Sequence, residues 1–219
     1  MVMTVGPTAA LAGVPSGVQS QGPWIGRRQL FVRFAGEAET ATMYTAAALA
    51  GELRKLSTRS VYHSVAIGGR DPLGNTEFLA AAFGQWAPTL PVMLDLDGQR
   101  PESLRALDGH FALAQVTIDP DAPAGSIERA METLGAVAGM GREHALVLVP
   151  GEDTSDGQVL RAIERAHAAS GGTIIVVHPP PGGETSMLDR RWGTLLEQAM
   201  RVHPDTRLLA RVPPPVGMR

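Results

Sequence analysis

Residues 111–149 read FALAQVTIDPDAPAGSIERAMETLGAVAGMGREHALVLV. Two short, nearly continuous apolar runs, Phe111–Ile118 and His144–Val149, flank an amphipathic stretch, Ile127–Val137, that follows Ser126. Aliphatic runs of this length suit strands buried on both faces. A small polar residue just before a helix offers an acceptor to its free first-turn N–H groups. Strand, helix and strand on short links predict a parallel pair joined by a right-handed crossover.

The same alternation extends both ways. Strand-like runs fall at Gln29–Ala35, Val61–Ile67, Pro91–Asp95, Thr173–His178 and Thr206–Val212. Helix-like runs fall at Thr40–Leu56, Thr76–Trp86 after Asn75, Glu102–Leu107, Gly157–Ala168 after Ser155, and Met187–Val202. The reading is an α/β fold of parallel β/α repeats, whose roughly seven strands fit an incomplete or closed TIM-type barrel or an open doubly wound sheet. Residues 1–28 are rich in Gly, Pro, Ser and Thr, so residues 1–17 read as an irregular N-terminal segment. Residues 18–219 read as one β/α domain, and the chain length of 219 suits a single core.

Hydrophobic residues make up 44% of the chain and charged residues 19%, enough apolar side chain for a buried core. Nineteen basic against 22 acidic residues leave a net charge of −3, which gives no long-range attraction to nucleic acid or to an anionic membrane. No apolar run is long enough to span a bilayer. Arg27-Arg28 is followed by charged residues rather than an apolar export segment, so a cytoplasmic location is expected. With no cysteine, this sequence offers no disulfide, zinc thiolate, thiol nucleophile or cysteine-held cluster.

In parallel β/α folds, ligands gather at the C-terminal ends of the strands. Polar residues fall there: Arg33, Gly68-Gly69-Arg70-Asp71, Asp95, Asp97, Asp119, Asp121, Glu152, Asp153 and His178. Asp95 and Asp97 are weak candidates for a hard divalent metal, although Asp-Gly and Asp-Pro also make ordinary turns. The histidines lack metalloprotease spacing and read as isolated, His178 being the one at a strand end.

Four pieces, in order, carry a family resemblance. Gln19-Ser20-Gln21-Gly22, then Gly26-Arg27, then Arg33-Phe34-Ala35-Gly36 stand at the opening of the chain. Gly68-Gly69-Arg70-Asp71-Pro72-Leu73, Leu90–Gly98 and the tail from Thr206 follow. Together they resemble 7-carboxy-7-deazaguanine synthase and other radical S-adenosylmethionine (SAM) proteins, whose fold is a partial TIM-type barrel.

The resemblance places the three cluster cysteines on Glu37, Ala41 and Tyr44, none a thiolate. It places the SAM-binding motif on Gly68, Gly69, Arg70, Asp71 and Pro72, with a long cation at a glycine position. The family's iron–sulfur cluster and SAM are therefore expected to be lost, no cofactor is expected, and Arg70 is expected to pair with Glu37. The expected function is a cluster-free pseudoenzyme, a non-catalytic partner or regulatory subunit of an active radical SAM paralogue, forming either a homodimer or a heterodimer with that related protein. The alternative is a small-molecule binder for a carboxylated pterin- or purine-like ligand, with Gln19, Gln21, Arg27 and Arg33 in its pocket. A third reading is a metal-dependent enzyme built on the strand-end aspartates.

Overall fold

The computed structural model describes residues 6–180 and 190–211. Ten strands form one sheet: β1 (Thr8–Gly13), β2 (Ser16–Val18), β3 (Arg28–Phe34), β4 (Thr42–Thr45), β5 (Ser64–Gly69), β6 (Val92–Leu96), β7 (Leu113–Ile118), β8 (Glu143–Leu148), β9 (Ile174–Val177) and β10 (Thr206–Leu208). Five α-helices join them: α1 (Ala46–Arg59), α2 (Thr76–Trp86), α3 (Ala124–Gly139), α4 (Asp156–Ala169) and α5 (Arg190–Val202). A 3-10 turn spans Pro72–Asn75, and a 3-10 segment spans Pro101–Leu107 where a short α-helix was expected.

The strand order is β10-β9-β8-β7-β6-β5-β3-β1-β4, with β2 also on β3. From β3 to β10, omitting β4, every pairing is parallel and follows chain order. Right-handed crossovers between strands laid down in order put every helix on one face. Accordingly α1 packs on α2, α3 on α4 and α4 on α5, and the 3-10 segment bridges α2 and α3. The large core lies between helices and sheet: Leu30, Val32, Val65, Ile67, Leu94, Val116, Leu146 and Ile175 face Leu53, Phe78, Phe83, Leu134, Ile163 and Trp192. Among the described residues, β4 and β10 are the two edges and do not pair with each other, so no closed barrel forms.

Four sequence expectations need correction. The irregular segment 1–17 contains β1, which pairs antiparallel with β3 and β4, and the start of β2; Ala9 and Leu11 are buried core. Pro15 sits in the link between these strands and so does not prevent them. The expected helix at Thr40 begins only at Ala46, because Thr-Met-Tyr-Thr, β-branched and aromatic, pairs as β4. Thr45 then caps α1, its side chain accepting from the Ala48 N–H at 3.1 Å. Asn75 does not cap α2; Asp71 accepts from the Gly74 N–H instead. Nor does Ser126 cap α3, which starts two residues earlier, after Pro123.

Ser155 does cap α4, in a reciprocal pair with Gln158. The expected helix start at Met187 and the strand end at Val212 lie outside the described residues.

Gly69 marks the tightest approach between neighbouring strands. Its φ is +95°, and a Cβ added there would lie 2.3 Å from the Phe34 carbonyl oxygen. Gly69→Ala is expected to lower stability by about 2 kcal/mol or more, read as the shift in urea midpoint at unchanged slope. A change within error would mean that this end of the sheet is looser than described.

Candidate functional site

The face without helices is built in rows set by strand register. One row is apolar: Phe31 opposite Ala66, Ala66 opposite Met93, and Met93 opposite Leu113. Ala66, Met93, Leu113 and Ala145 are buried there, against Trp24, Phe31 and Ile174. The next row toward the C-terminal strand ends is polar. Arg33 pairs with Gly68, and Asp95 pairs with Gln115. Gly68 lies beside Asp95: a Cβ there would be 3.4 Å from the Asp95 Cβ. The row thus runs cation, gap, carboxylate, carboxamide across four adjacent strands. A cleft of about 130 Å³ opens along it, lined by Phe31, Val32, Arg33, Ala66, Gly68, Gly69 and Asp95.

Asp95 Oδ1 accepts from Gln115 Nε2 at 2.9 Å and from Thr117 Oγ1 at 3.3 Å. Burial pushes the carboxyl above the usual carboxylate range, against the opposing pull of those two hydrogen bonds and of the Arg211 charge. Oδ2 accepts no hydrogen bond from any described residue. Arg33, at the other end of the row, is about half exposed and holds Glu39 Oε1 at 2.7 Å. Glu39 also accepts from the Gly36 N–H at 2.9 Å, and that bond and Arg33 lower its carboxyl below the usual range.

The rest of this face lies under residues 19–26. Gly22 N–H donates to His178 Nε2 at 2.9 Å, and Gln21 Nε2 donates to Thr117 Oγ1 at 3.1 Å. Arg211 donates to Gln21 Oε1, and Gln19 Nε2 points at the Met93 sulfur. His178 is fully buried, its Nδ1 2.7 Å from the Leu209 carbonyl. A carbonyl only accepts, so Nδ1 carries the hydrogen and Nε2 is the bare nitrogen that takes the Gly22 N–H. Burial lowers the His178 pKa.

The structure sorts the sequence candidates by chemistry. Gln19 and Gln21 face the sheet, but their polar atoms serve the chain's own packing. Arg27 is exposed and outside the row; the His63 pKa is lowered by burial first and then by the Arg27 charge, and the His63 ring packs edge-on to Trp24. The expected Arg70–Glu37 pair forms, at 2.6 Å; both partners are exposed, so its contribution to stability is small. Ala41 is exposed, and Tyr44 lies on β4 opposite Ala9, partly packed on the core. Asp71 caps the 3-10 turn at Pro72 and binds Arg100 Nε through both oxygens, at 2.9 and 3.0 Å.

Asp97 and Asp119 accept from N–H groups two residues on, as turn aspartates do. No group of three or more metal-ligating side chains occurs among the described residues, so Asp95 and Asp97 are not joined into one. Two further histidines are not isolated: His167 Nδ1 lies 3.0 Å from His203 Nδ1, away from the row. Sequence reading passed over Gln115 and Thr117. Their signal was position, since both alternate with Val116 on a strand whose neighbour carries Asp95.

No protein-family profile and no curated protein matches the chain. Among solved structures it is similar to the apo form of 3-keto-D-glucoside 4-epimerase, YcjR, from E. coli, with 14% identity, 75% of this chain and 88% of that chain covered, and a TM-score of 0.31. A likeness that slight carries no statement about activity. The radical SAM and 7-carboxy-7-deazaguanine synthase resemblance is corrected: neither a family profile nor a curated relative stands behind it. Its motifs have local reasons. Gly69 and Asp71 take positive φ around a capped turn, and Asp97-Gly98 turns the chain after β6.

Two titrations follow from the buried groups. His178 has a folded pKa below its unfolded value of about 6.5. Its contribution is present above that pH and is lost as pH falls below it, so His178→Gln should flatten the decline in melting temperature between pH 7 and 5. Asp95 has the opposite sign: its folded pKa is raised, so ionising it costs stability as pH climbs above about 4. Asp95→Asn should raise the melting temperature at pH 8 and leave it unchanged near pH 3.

Proposed function

We propose that the chain is a small-molecule-binding domain, working without an iron–sulfur cluster, that holds a polar organic ligand along the row Arg33–Gly68–Asp95–Gln115. One observation carries the reading. A carboxylate held at a cost in the sheet interior opens onto a cleft that a cation closes at its other end. Burying an ionised group is unfavourable unless partners satisfy it. Asp95 has partners for one oxygen and none among the described residues for the other.

The ligand chemistry follows from the two ends. Asp95 accepts hydrogen bonds, so it takes an N–H or O–H donor. Arg33 takes a carboxylate or another flat anion, a role that the Glu39 side chain fills from within the chain. The apolar row beneath, Phe31, Ala66 and Met93, suits the carbon skeleton between them. At about 130 Å³, the cleft holds roughly the space of four waters at ~30 Å³ each, the size of a small organic acid. No nucleophile with a neighbouring base is present in the row, which favours binding over covalent chemistry.

The same reading takes the sheet as curled toward an incomplete TIM-type barrel. Adjacent residues Gln21 and Gly22 reach β7, the end of β9 and the residues after β10 together. In a flat sheet β7 and β10 stand about 14 Å apart, at ~4.8 Å per strand, and the contacts of one short segment with both sides support the curled reading.

The test is a 15N NMR titration of the whole chain with glycolate and with acetate. Shifts should cluster at the amides of Arg33, Gly68, Gly69 and Asp95. Arg33→Ala should weaken binding about tenfold, and Glu39→Ala, which removes the internal competitor, should strengthen it. Shifts scattered over the surface, or affinity indifferent to both changes, would reject the site.

A further inference from the structure

Residues 19–26 treat the sheet as a ligand would. They deliver N–H groups to two acceptors, Gly22 to His178 and Gln21 to Thr117. A third acceptor is left short. Gln115 is fully buried, and its Oε1 has no hydrogen-bond partner. The carboxamide cannot reverse to cure this, because its Nε2 is committed to Asp95 Oδ1. Gly22 lies directly over the oxygen: an added Cβ would be 2.1 Å away. Yet the Gly22 N–H is spent on His178. The strap covers Gln115 without satisfying it.

We propose that residues 19–26 conceal a second part of the same binding site, and that this subsite takes a planar amidinium or guanidinium group that displaces the strap. The inference rests on the binding reading above. Among the described residues, every polar atom awaiting a partner there is an acceptor: Asp95 Oδ2 and Gln115 Oε1. Lifting the strap adds two more, His178 Nε2 and Thr117 Oγ1. An acceptor-only lining around a carboxylate selects a cation rich in N–H groups. A flat one presents two parallel N–H bonds to a carboxylate, which a compact ammonium cannot match.

Of the neighbouring cations, Arg33 lies beyond Gly68 and is held by Glu39. Arg211, whose charge reaches Asp95, donates to Gln21 on the strap and is the cation with which the ligand competes. His178 is neutral, its bare nitrogen turned toward Gly22. A ligand with an amidinium at one end and a carboxylate at the other would span the exposed and concealed parts of the site.

The experiment titrates the full-length chain, at pH 7.5 and constant ionic strength, with acetamidinium chloride and with tetramethylammonium chloride, followed by 15N NMR. Acetamidinium should bind saturably, moving the Gly22 amide together with those of Asp95 and Gln115. Tetramethylammonium, equally charged but without N–H groups, should not. Asp95→Asn should weaken acetamidinium binding at least tenfold. Gly22→Ala, whose methyl meets Gln115, should loosen the strap and tighten binding several-fold.

Equal response to both cations, or acetamidinium shifts that leave Gly22 unmoved, would overturn the concealed subsite. A chain that takes glycolate at Arg33 but ignores acetamidinium keeps the binding reading and loses this one. A chain that ignores all four probes loses both.

Discussion

Seven parallel strands laid down in chain order have one consequence that shapes the molecule. Every crossover turns the same way, so all the helices fall on one face and none is left for the other. That second face still carries a buried apolar patch around Met93 and Leu113. It also carries fully buried polar side chains at Gln29, Ser64, Gln115 and His178. Water cannot be allowed to flood the apolar row, and the polar side chains cannot be left dry without partners. The loop between β2 and β3 meets both demands in part. Gln21 and the Gly22 N–H reach Thr117 and His178, while Gln19 and Trp24 lie over the apolar row at Met93 and its neighbours.

This division separates stability from ligand chemistry. The helical face holds the large core, with Phe78, Phe83 and Trp192 closing over the sheet. Losses there are losses of fold. The strap face contributes less apolar burial and more hydrogen bonding, and two of its buried carboxamide oxygens, on Gln29 and Gln115, are unpartnered. Of these, the Gln115 oxygen lies next to a carboxylate whose charge burial disfavours, a cost that the proposed binding role would explain.

The parallel repeat was legible because burial on two faces writes continuous aliphatic runs. Leu113–Ile118, Glu143–Leu148 and Thr76–Trp86 lie within a residue or two of where the apolar pattern put them. The N-terminal strands were not, because Ala9, Ala10 and Leu11 are flanked by glycines and prolines that speak for turns. Only pairing with Tyr44, Met43 and Phe34, distant in the chain, makes Thr8–Gly13 a strand. Of the site, the strand ends at Arg33, Gly68 and Asp95 could be read. Gln115 and Thr117 carry only a positional signal, their alternation with Val116, which marks their face and not what lies on it.

The short motifs misled for a physical reason. Glycine before an aspartate at a strand end, and proline just after it, are what any parallel β/α unit needs to turn and start the next helical segment. Gly69 takes its positive φ to pass Phe34, Asp71 caps the turn that Pro72 opens, and both would be selected whatever the site holds. A residue without such a local duty is better evidence. Asp95 caps nothing and turns nothing, and its burial works against its charge. By that standard the proposed binding reading rests on Asp95 and the carboxamide beside it, rather than on the glycine-rich turn after β5.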